Sequence, residues 1–173
     1  MYIKVIGGLF VLVSSAAIGF LKAEELHQRV KLLEELKRVI VLLKGELRFH
    51  RAELSEAFEH VAEKTSVPFE EFLKNTAKQM EMRAEGGFEK IWSDNCLSLL
   101  RTEGFRKEDR ELFEVLGTGL GYLDLTMQKE NLNLVLQQIE EKIGCAKEVQ
   151  KSKGKVYQTM GVTVGTLLAL MMI

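Results

Sequence analysis

The sequence predicts an all-α protein, an antiparallel bundle of about six helices in which two long helices continue into apolar segments at the N- and C-terminal ends. Three observations predict it. Residues 5–21 and 156–173 contain no charged side chain, so the charges of the 173-residue chain are concentrated between them. Pro68 is the single proline, and Leu, Glu and Lys dominate the middle, a helical composition with few strand punctuators. The apolar residues of that middle recur at alternating spacings of three and four, the period of a helix with one buried face.

The first apolar segment, VIGGLFVLVSSAAIGFL, lies between Lys4 and Lys22. A membrane-crossing helix needs about 20 mainly apolar residues, with a range near 17 to 25, so this segment reaches the short limit. A cleaved signal peptide is the alternative, because Ser14-Ser15-Ala16-Ala17 supplies small residues. The run continues through Ile18, Phe20 and Leu21, which favours an uncleaved anchor.

Leu26, Val30, Leu33, Leu36, Ile40, Leu43 and Leu47 then form one stripe of a long helix leaving that segment. Leu54, Ala57, Phe58 and Val61 mark a short second helix, and Ser66-Val67-Pro68 breaks the chain before a third carrying Phe69, Phe72, Leu73, Ala77 and Met80. Gly86-Gly87 is expected to end it. Phe88, Ile91, Trp92, Asn95, Cys96 and Leu99 share a face of a fourth helix that Gly104 closes, with Trp92 as a core anchor. Leu112, Phe113, Val115 and Leu116 seed a fifth, expected to stop at Gly117, Gly119 and Gly121. The last opens at Asp124, a natural N-cap, and carries Leu132, Leu136, Ile139, Ile143, Ala146 and Val149 toward the second apolar segment.

That segment, VYQTMGVTVGTLLALMMI, has no polar face along its final residues, which points to lipid rather than to a core. The expected domains are therefore an N-terminal transmembrane helix at 1–21, a helical bundle at 22–155 and a C-terminal transmembrane helix at 156–173. Cytoplasmic segments carry the excess of Lys and Arg. Lys22, Arg29, Lys31, Lys147, Lys151, Lys153 and Lys155 flank the spans on the bundle side against Lys4 on the other, so a multi-pass protein of the cell membrane with a cytoplasmic bundle is expected.

Function must be sought with little chemistry on offer. A net charge of −1 and a pI near 6.3 provide no basic surface for nucleic acid. Cys96 and Cys145 lack metal or redox spacing and read as buried free thiols. Gly117-Thr118-Gly119-Leu120-Gly121 lacks the Lys-Ser/Thr of a phosphate loop and a preceding strand, and reads as a flexible helix break. Glu56, His60 and Glu63 share one helical face and could touch a metal, but no second motif completes a shell, so a solvated face is the plainer reading. His27 and His50 have no evident partners. No nucleophile motif appears, and neither catalytic, cofactor nor metal residues are assigned. In the second apolar segment Gly161, Gly165 and Ala169 recur every four residues, the small-xxx-small pattern that lets helix backbones approach, and Ser15 and Gly19 repeat it once in the first. The partner helix stays open, and a homo-oligomer is among the expectations.

With these stretches in view, the chain resembles the stage III sporulation protein AB family. The resemblance rests on the N-terminal span, Arg29-x-x-x-Leu33-x-x-Leu36, Leu43-x-x-Glu46-Leu47, Leu54-x-x-Ala57, Leu116-Gly117, and Gln128 with the stripe from Leu132 to Ile143 before the C-terminal span. The chain departs from the family pattern at Ala52-Glu53-Leu54, where Thr-Pro-Leu is usual, and at Thr118-Gly119-Leu120, where Thr-Asp-Arg is usual. The resemblance implies a non-enzymatic scaffold of a secretion-like channel between mother cell and forespore. It is similar to the platform protein of type II secretion and type IV pilus systems. The implied partners are other stage III channel proteins, including a cytoplasmic motor ATPase, and membrane lipid. The competing class is a membrane-anchored enzyme or metal protein using Glu56, His60 and Glu63.

Overall fold

The computed structural model describes residues 2–49, 53–82, 87–101, 104–121 and 124–172. His50, Ala52 and Gly86 lie outside them. Six helices account for nearly all of the described chain, and no strand occurs among the described residues: α1 (Tyr2–Phe49), α2 (Leu54–Ala62), α3 (Phe69–Glu81), α4 (Gly87–Leu99), α5 (Lys107–Leu120) and α6 (Leu125–Met172). Two compact units are present, one made of Met1–Val30 with Gly144–Ile173 and the other of Lys31–Ile143.

In the second unit the predicted stripe of α1 is the spine of the core. Leu33, Leu36, Ile40, Leu43 and Leu47 are all buried, joined by Val39. Buried in the same unit are Phe58 and Val61 of α2, Phe69, Phe72 and Leu73 of α3, Trp92 of α4, Phe113 and Leu116 of α5, and Leu132, Val135 and Ile139 of α6. The aromatic rings form a connected series. Trp92 meets Phe72 edge-on at 5.0 Å between ring centres and lies 6.0 Å from Phe58, while Phe113 contacts Phe72 and Phe105. Such tilted and edge-to-face pairs add specific geometry to large apolar burial.

The ends of the short helices are fixed by polar groups. Glu35 of α1 accepts hydrogen bonds at 3.2 Å from both the Ser66 backbone N–H and its hydroxyl, holding the turn before α3. Asp109, fully buried in the first turn of α5, accepts from the Arg106 N–H at 2.8 Å and lies 3.3 Å from the Lys142 ammonium of α6. Asp124 accepts the Thr126 N–H at 2.7 Å, the N-cap bond its position predicts. Lys37 of α1 pairs with Glu140 of α6 at 2.7 Å.

Several expectations are corrected. Gly87 opens α4 with a φ of 71° rather than ending α3, which closes at Met82. Val115 is exposed, because Leu112, Phe113, Leu116 and Leu120 define a buried face of α5 that turns it outward. Helix α5 stops at the last glycine of the cluster, with Gly121 as its C-cap, but Gly117 and Gly119 do not break it. Their reason for being glycine is tertiary: a Cβ on Gly117 would strike the Trp92 ring, and one on Gly119 would strike the Asn131 side chain. Trp92 Nε1–H donates to the Phe113 carbonyl at 2.9 Å, and Asn131 Nδ2–H reaches the Val115 and Leu116 carbonyls at 3.3 and 3.4 Å, so both side chains lie directly on the α5 backbone. Cys96 is buried but Cys145 is exposed, since burial on α6 follows Ile139, Ile143 and Ala146 and leaves position 145 on the opposite side.

Candidate functional site: a seam of small residues between two apolar helices

Within the unit formed by Met1–Val30 and Gly144–Ile173, the first part of α1 and the last part of α6 lie side by side. Gly8 faces Ala169, Leu12 faces Gly165, Ser15 faces both Gly161 and Gly165, and Gly19 faces Tyr157 and Gly161. Further along, the His27 ring lies 2.7 Å from Gln150. Each advance on α1 meets a retreat on α6, so the helices are antiparallel.

Their approach is close because the facing positions carry almost no side chain. A methyl added to Gly19 would sit 2.5 Å from the Tyr157 carbonyl oxygen, and one on Gly161 would sit 2.8 Å from the Ser15 carbonyl and 3.0 Å from the Gly19 Cα. On Gly165 it would come within 3.0 Å of the Ser15 Cβ. Backbone thus packs on backbone, the arrangement small-xxx-small spacing permits. The Ser15 hydroxyl donates to the Gly161 carbonyl at 2.8 Å across the seam.

Burial in this pair is inverted relative to a water-soluble core. Gly8, Gly19, Gly165 and Ala169 are buried, while Ile6, Leu9, Phe10, Ile18, Phe20 and Leu21 of α1 and Met160, Leu167, Leu170 and Met171 of α6 are exposed. Phe10 is 74% exposed and Met171 82%. The hydroxyls of Thr159, Thr163 and Thr166 donate to the carbonyls of Lys155, Thr159 and Val162 in their own helix, so none depends on water. At the polar border Lys22 pairs with Glu25 at 2.7 Å, and that hydrogen bond and charge hold its ammonium above the usual lysine range. Among the described residues α1 is the helix that is long and apolar enough to cross a membrane by length and composition, near the N-terminus.

The other candidates lie elsewhere. His60 Nδ1 is 3.3 Å from one oxygen of Glu46, whose other oxygen accepts from the Lys64 ammonium at 2.9 Å, whereas Glu56 and Glu63 are exposed. The sequence-level trio is therefore not assembled; the partner of His60 is a buried carboxylate from α1. Glu46 was hidden in plain sight, an acid between Leu43 and Leu47 on a buried stripe. His27, expected to lack a partner, has Gln150. No group of three or more His, Cys, Asp or Glu among the described residues is placed to hold a metal ion.

These features define an all-helical bundle protein whose N-terminal helix is apolar enough to enter a membrane. A profile of stage III sporulation protein AB matches residues 4–173, and the chain belongs to that family. It is 21% identical over 170 residues to stage III sporulation protein AB of Bacillus subtilis (strain 168), an alignment spanning 98% of this chain and 99% of the relative. A solved structure of stage III sporulation protein AB shares the fold, with a TM-score of 0.65 and 18% identity, covering 72% of this chain and 98% of that one. The family is a sporulation family rather than an enzyme family.

Proposed function

We propose that the chain is a non-enzymatic scaffold held in the cell membrane by both apolar ends, presenting its helical bundle to partners in the cytoplasm of the mother cell. The inverted burial of the end segments carries this reading. In water, each exposed Leu, Ile, Phe or Met would forgo about 1.5–3 kcal/mol of burial, and among the described residues the end segments of α1 and α6 expose eleven such side chains around a seam of glycines. In lipid the same arrangement is favourable, because chains of hydrocarbon cover the large side chains and small residues let the helices pack. The transmembrane segments are assigned to residues 1–21 and 156–173 and the bundle to 22–155, with Gly161, Gly165 and Ala169 as the helix-packing residues of the anchor.

Orientation follows from the basic residues near the spans, Lys22, Arg29, Lys31, Lys147, Lys151, Lys153 and Lys155 against Lys4. Val41→Cys, in a chain whose Cys96 and Cys145 are replaced, tests it, since Val41 is solvent-exposed in the fold. An impermeant thiol reagent should label it only after lysis; labelling in intact cells would place the bundle outside.

The family membership and the anchored bundle together support a place in the channel complex joining mother cell and forespore, with the bundle connecting a cytoplasmic motor ATPase to membrane components. The energy chemistry then belongs to the ATPase, consistent with a chain to which no catalytic residue is assigned. Purification of the detergent-solubilised protein from sporulating cells should bring down that ATPase together with other stage III channel proteins. Recovery of the channel proteins without the ATPase would remove the motor link.

A further inference from the structure

We draw no further inference here: the strongest candidate, the cleft of about 180 Å³ between α4 and α5 lined by Trp92, Cys96, Leu97, Gly117 and the carboxylates of Glu89 and Glu114, is a small, largely apolar recess for which nothing in the structure shows what covers it.

Discussion

Replacing Trp92 with alanine is expected to cost the helical bundle about 3 to 5 kcal/mol, the range for removing a buried aromatic side chain and leaving a cavity. The indole is 4% exposed and touches rings from three directions, Phe58 of α2, Phe72 of α3 and Phe88 of α4 itself. It also fills the space left by Gly117 and donates to the Phe113 carbonyl, so alanine removes both packing and a hydrogen bond between α4 and α5. Because domains of this size hold only about 5–15 kcal/mol in total, the loss should be plain in urea unfolding of the detergent-solubilised chain followed by circular dichroism. A change below about 1 kcal/mol, the scale of surface substitutions, would show that Trp92 is not a core residue.

The double substitution Leu36→Asp with Ile139→Asp should disrupt the bundle more severely. Leu36 of α1 is 1% exposed and Ile139 of α6 is fully buried. An isolated carboxylate in such surroundings either stays charged at large cost or takes up a proton and still lacks a partner, a penalty of several kcal/mol per site. Neither position lies in residues 5–21 or 156–173, so carbonate-resistant membrane association should persist while protease resistance of the bundle and co-purification of partners are lost. Normal protease resistance and normal assembly would contradict the packing of α1 against α6 as the basis of the scaffold.

Much of this fold is legible in the chain because helix burial is periodic. The stripe from Leu33 to Leu47 needs only a spacing of three and four to be recognised, and all five of its leucines and isoleucine that it names in the bundle are buried. What periodicity does not carry is the identity of a distant neighbour. Gly117 and Gly119 look like helix breakers to a local reading, yet Trp92 and Asn131 occupy the space that their missing side chains leave. Cys145 reads as a buried thiol when only the absence of metal or redox spacing is considered, whereas the stripe of Ile139, Ile143 and Ala146 puts it outside. Glu46 is a comparable case, a charge tolerated beside the core because Lys64 and His60, on and just after α2, reach back to it. In the apolar ends the four-residue recurrence of Gly161, Gly165 and Ala169 is visible in the sequence, but Gly8, Leu12 and Ser15 as their neighbours are not, since they lie at the other end of the chain.

That pairing is the most direct place to test the account, because the anchor depends on the two ends meeting within one chain. A Cβ at Gly8 would lie 3.6 Å from the Ala169 Cβ, inside the roughly 3.5–4.5 Å separation that a disulfide requires. With Cys96 and Cys145 replaced, Gly8→Cys and Ala169→Cys should crosslink within a single chain on mild oxidation of native membranes, whereas Phe10→Cys with Ala169→Cys should not, Phe10 being turned outward. Crosslinks that join separate copies instead, or an equal yield from the Phe10 control, would contradict an anchor built from the chain's own two ends.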